Sequence, residues 1–152
     1  MTAETSALRE AIEARVALLS GWTLVDIPPQ QLAVTDVPDA VPDSVAHLAF
    51  TVDMPRSVFE SERQQGAGAI AMLAKTDLVI RFLARTRPRD KLDSFSAALD
   101  AERDLVRQVL VWSAVRAQAA ITWRSTARSK SPSNPWYLVE LTFEALHPVT
   151  LS

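Results

Sequence analysis

TDLVIRFLARTR, residues 76–87, is the segment around which the rest of the chain can be arranged. Strand side chains alternate with period two, so Leu78, Ile80 and Phe82 share one face, and Val79, Arg81, Leu83, Arg85 and Arg87 the other. The first face is wholly apolar; the second is half apolar and half basic. After Pro88 the period changes. From about Lys91 to Trp112, Leu92, Phe95, Leu99, Val106 and Leu110 form a stripe at helical spacing. Asp90 or Asp93 can cap this helix, because a carboxylate there accepts unpaired amide hydrogens and meets the positive end of the dipole. At 1.5 Å per residue the helix is about 30 Å long, enough to cross a sheet face.

Toward the N-terminus, Leu8, Ile12, Val16 and Leu19 predict an amphipathic helix that ends at Gly21, a residue suited to the left-handed conformation. Trp22–Ile27 is rich in β-formers and predicts a short strand, cut off by Pro28-Pro29. Residues 28–43 alternate prolines with Asp36, Asp39 and Asp43 and predict an extended surface loop. In His47–Met54, Leu48, Phe50, Val52 and Met54 share a strand face, and Pro55 is expected to end that strand. Residues 56–70, with mixed charge and Gly66-Ala-Gly68, predict a mobile excursion that serves as a contact arm, with room for a short helix through Val58 and Phe59. Toward the C-terminus, Ile121 and Trp123, then Tyr137, Val139, Leu141 and Phe143, predict a long hairpin joined by the polar link 129–135. The predicted order is α-β-β-β-α-β-β. That order gives an α+β fold, a mainly antiparallel sheet with both helices on one face, in a single domain over 1–152.

Composition narrows the function classes. The chain is 48% hydrophobic and 22% charged, which suits an ordered globule of one core. Its net charge of −2 gives no general attraction to nucleic acid or to anionic membranes. With no cysteine, disulfides, thiolate zinc sites and cysteine nucleophiles are excluded. The polar, acidic start and the lack of a long apolar run predict a soluble protein made in the cytoplasm, with no membrane partner.

The residues offer little for chemistry, and the expectation is that the protein is not an enzyme. His47 and His147 are the available imidazoles; both read as partly exposed residues at strand ends, outside any metal or nucleophile spacing. Gly66-Ala-Gly68 lacks the later Gly and the Lys or Ser/Thr of a phosphate loop. Asp36, Asp39 and Asp43 lack the Gly turn and closing Glu of a calcium loop. No cofactor or metal is expected. Trp22 and Trp123 read as core, while Trp112 and Trp136 flank element ends, where core and interface roles compete.

Charge is segregated along the chain. Residues 16–55 hold Asp26, Asp36, Asp39, Asp43 and Asp53 with no Lys or Arg; residues 113–135 hold Arg116, Arg124, Arg128 and Lys130 with no acid. A third group, Arg85, Arg87, Arg89 and Lys91, links the central strand to the long helix. Opposite patches suit head-to-tail contacts, which close into rings when the rotation allows; a solvated surface of uneven charge is the alternative.

The strand Asp77–Ala84, the helix from Leu92 to Leu110, the closing strand Trp136–Phe143 and the leading helix Leu8–Leu19 together resemble the tail terminator proteins of long-tailed bacteriophages and related gene-transfer or tail-like particles. The likeness covers most of the chain, in element order and hydrophobic pattern, without a diagnostic motif. It implies a structural virion protein made in the bacterial host's cytoplasm. Such a protein forms a hexameric ring on the head-proximal end of the tail tube, ends tube polymerisation and joins tail to neck. The implied partners are further copies of itself, the tube protein, a neck or head-tail connector protein, and a sheath if the tail contracts; DNA passes as cargo. A connector role is the nearest alternative, and a nucleic-acid-binding module using Arg81, Arg85, Arg87 and Arg124 a more distant one. Candidate interface or lumen residues are Arg85, Arg87, Arg89, Lys91, Arg124, Arg128, Lys130, Asp36, Asp39 and Asp43.

Overall fold

The structure, a computed structural model, describes residues 3–27, 29, 32, 46–65, 69–87, 89–115, 119–130 and 135–151. The elements are α1 (Ala3–Ala17), β1 (Thr23–Leu24), β2 (Ala49–Gln65), β3 (Ala69–Arg85), α2 (Lys91–Val115), β4 (Ala120–Lys130) and β5 (Trp136–Leu151). The fold is α+β in the expected order. The strands form one sheet in the order β1-β2-β3-β5-β4, in which β1 joins β2 in parallel and every other pairing is antiparallel.

The alternation of residues 76–87 divides the sheet as expected. On one side Phe50, Val52, Leu78, Ile80, Phe82, Val139, Leu141 and Phe143 pack beneath Leu8, Ile12 and Val16 of α1 and Leu105, Val106 and Val109 of α2. Trp22 meets Phe82 edge-on at 4.8 Å between ring centroids, which ties the end of the α1 connection to the centre of the sheet. On the other side Leu83 and Trp136 pack with Ala49, Ala46 and Leu32 in a smaller cluster at one end of the sheet. After α1 the chain turns through Gly21 at φ 84°, in the left-handed conformation expected of it.

Several expectations fail, each for a physical reason. Pro55 does not end its strand. It sits where the β2–β3 register shifts between Asp53 and Arg56, on a stretch with no outer neighbour among the described residues, so its missing amide costs no ladder bond. The expected excursion 56–70 is therefore strand on both sides, as β2 runs to Gln65 and β3 starts at Ala69, with no helix through Val58 and Phe59. Residues 66–68 lie outside the described residues. Leu48, expected in the strand, precedes it in a turn at φ 61°, although its side chain still reaches the core. The first strand shrinks to Thr23–Leu24.

The helix stripe is also displaced. Ala98, Leu105 and Val109 take the centre of the buried face, each one residue before an expected position, a rotation of up to about 100°. Val106 stays buried and Leu110 half-buried, while Leu92, Phe95 and Leu99 are exposed. Polar contacts drive the turn. Ser94 Oγ accepts from the Arg87 amide at 2.9 Å, and buried Glu102 receives two hydrogen bonds of 2.6 Å from Arg128 of β4.

Candidate assembly surfaces

The helix-free side of the sheet carries a ladder of charge. Arg81 stands at the centre of β3, where its neighbours are Thr51 on β2 and Glu140 on β5. Its Nε donates to Glu140 at 2.7 Å, and its Nη1 donates to Asp53 at 3.2 Å and to the Pro29 carbonyl at 3.4 Å. One guanidinium thus joins three strands and the segment after β1. Farther along, Arg124 donates to Glu144 at 2.8 Å, which holds that carboxyl below the ordinary range, with Lys75 adding to the effect. On this face Arg81 is shared by Glu140 and Asp53, and Arg124 is bound by Glu144.

The candidate cations do not form one patch. Arg124 lies at the register shift of β4 and reaches the helix-free side, whereas Arg128 binds Glu102 beneath α2, an interaction that raises the guanidinium's pKa. Lys130 sits 5.7 Å from the Tyr137 ring centroid, and Arg85 covers Trp136 at 4.8 Å. Arg85 and Arg87 line an open cleft of about 710 Å³ with His47, Asp90, Asp93 and Ser94 at the start of α2. Arg87, Arg89 and Lys91 are exposed. Asp36, Asp39 and Asp43, with Arg116 and most of the loop 28–43, lie outside the described residues, as do 131–134 of the expected link.

The two histidines differ from each other, and only His147 departs from expectation. His47 is exposed and precedes β2; its Nδ1 accepts from the Arg85 amide at 3.1 Å. Partial burial, then Arg85 and Arg87, lower its pKa. His147 was expected to be partly exposed but is buried between β5 and α1, because Pro148 does not end β5. Its Nε2 lies 2.8 Å from Thr76 Oγ1, itself 2.8 Å from Ser57 Oγ. Burial lowers the His147 pKa, against smaller opposing effects of the Pro148 backbone and Glu4. A neutral imidazole can accept from Thr76 while Thr76 accepts from Ser57, so the chain closes without a charge. Among the described residues no three His, Asp or Glu side chains are placed to hold a metal ion.

The remaining surface features are apolar, and sequence reasoning missed them. Trp123, expected in the core, is 46% exposed on β4, its Nε1 donating to the Ser125 carbonyl and the Thr126 hydroxyl. Phe59 on β2 is 49% exposed and Val58 41%. Trp112 and Trp136 pack inward. The missing signal was edge position: β2 beyond Phe50 and the outer side of β4 have no strand neighbour among the described residues. Their sequences therefore need not alternate. No described helix is long and apolar enough to cross a membrane. Neither family models nor curated protein sequences yield a match to the chain.

Proposed function

We propose that this chain is a tail terminator of a phage or tail-like particle, a virion subunit that assembles into a ring at the head-proximal end of the tail tube. The ring, hexameric by resemblance, ends tube growth and offers a docking surface to a neck or connector protein. It would contact a sheath if the tail contracts. The reading assigns no catalysis.

The observation that carries it is an asymmetric sheet: helices cover one face, the other carries ion pairs beside a small apolar cluster, and both edges are open among the described residues. Such a subunit has an outer side, an inner side and two flanks, the parts a ring needs. The matched face also fits DNA as cargo. Affinity for DNA comes from cations free to neutralise phosphates, and here Arg81 and Arg124 are already engaged by carboxylates. This weighs against the nucleic-acid-binding module.

Labelled protein on purified particles tests the reading. Label is expected at the head-proximal end of tails, and deletion of the gene is expected to give tails of uncontrolled length. Label confined to the neck, with tail length unchanged, would instead assign the connector role. Absence from both places would defeat the proposal.

A further inference from the structure

We propose that copies of this chain join edge to edge, the outer edge of β2 in one copy pairing antiparallel to the outer edge of β4 in the next. Among the described residues neither β2 beyond Phe50 nor β4 has a strand partner on that side. The inference rests on the ring reading and gives it a contact surface.

Strand direction makes the pairing possible. The antiparallel pairings β2–β3, β3–β5 and β5–β4 leave β2 and β4 pointing in opposite directions at opposite flanks. Rotation about an axis parallel to the strands brings β4 of one copy beside β2 of the next, antiparallel and with the same face outward. β1 covers Ala49 and Phe50 and the Pro29 carbonyl lies against Thr51, so the part of β2 beyond them meets the 11 residues of β4 with a comparable run of backbone. Unpaired amide and carbonyl groups along such edges are templates for another strand.

Side chains select this partner over a β4–β4 contact. Arg124, Arg128 and Lys130 make β4 basic with no acid, whereas residues 51–65 of β2 hold Asp53, Glu60 and Glu62 with Arg56 and Arg63. Two β4 strands would bring Lys130 together with the partly exposed Arg124 and Arg128, whose charge Glu144 and Glu102 only offset, and this disfavours a ladder. Phe59 and Trp123 both fall on the helix side, in the rows of Ala74 and Leu78 respectively. Those rows are four residues apart along β3. Closing a sheet on itself requires strands to stagger, and a stagger of about four residues sets the exposed Phe59 against the exposed Trp123.

The chain has no cysteine, which allows a direct test. Val58→Cys marks the helix-free side of β2, and Ser125→Cys, Ala127→Cys and Ser129→Cys mark the same side of β4; all four positions are exposed. A disulfide needs the two Cβ atoms about 4 Å apart, so it reports adjacency. Each β4 variant is mixed with Val58→Cys at high protein concentration under a mild oxidant. At one β4 position or two neighbouring ones, the mixture should give at least about ten times the linked dimer of either variant alone. Linkage of a single β4 variant to itself would overturn the pairing. So would a chain that stays monomeric and unlinked at millimolar concentration. Rings without any mixed linkage would overturn the edge contact and leave the ring reading standing. Linked rings from a protein absent from tails would keep the contact and defeat the tail reading.

Discussion

The inner strands β3 and β5 and the outer strands β2 and β4 belong to one sheet, yet they follow different rules. Inner strands have neighbours on both sides and carry the helices on one face, so Leu78, Ile80, Phe82, Val139, Leu141 and Phe143 alternate and are buried. Among the described residues, outer strands have one neighbour each over most of their length. They tolerate a proline, register shifts and exposed aromatics in return. The difference separates residues that specify the fold from residues left available for contacts.

The largest effect should come from the inner strands. Phe82→Ala should destabilise the chain by about 3–5 kcal/mol, since it empties the site under Trp22 and the helices. Denaturant titration measures this, and a loss below about 1 kcal/mol would break the distinction. Next comes the tie between α2 and β4. Arg128→Ala leaves the buried Glu102 carboxylate without its two hydrogen bonds and should cost about 2 kcal/mol, less than for a fully buried pair because Arg128 keeps contact with water.

A third expectation concerns pH. Both histidine pKa values are lowered in the folded chain, so the unfolded chain binds protons first as pH falls. Stability is full above the unfolded value of about 6.5 and declines as pH falls through the folded values, by up to about 1.4 kcal/mol per pH unit for buried His147 and by less for exposed His47, which solvent screens. His147→Gln should flatten that decline more than His47→Gln, because His147 is enclosed between β5 and α1. Equal flattening would contradict the contrast. The smallest effect belongs to the edge itself: Trp123→Ala should change stability by less than about 1 kcal/mol while weakening association between copies, read from sedimentation at several concentrations.

What the sequence made legible follows the same division. Element order, the two faces of β3 and the core under α1 were readable because packing on an inner strand forces periodicity. Strand length at 56–65 and the exposure of Trp123 were not, since an edge strand satisfies its outer backbone with water and imposes no pattern. The helix was readable as a helix but misaligned by a residue, because hydrophobicity alone does not register the Ser94–Arg87 and Glu102–Arg128 bonds that orient it. The burial of His147 was not legible because β5 runs on through Pro148 and carries the imidazole under α1. The charge blocks were real, but Arg81, Arg124 and Arg128 find their partners through strand register and tertiary contact, which linear spacing does not reveal.

Hydrogen exchange, compared between dilute and assembled protein, tests most directly whether the outer strands join copies. Amides of β3 and β5 should be protected in both states, while those of residues 51–59 and of β4 should exchange in the dilute chain and become protected together on assembly. If assembly instead protects the exposed start of α2 around Leu92 and Phe95 and leaves both edges exchanging, the edge-to-edge account is wrong.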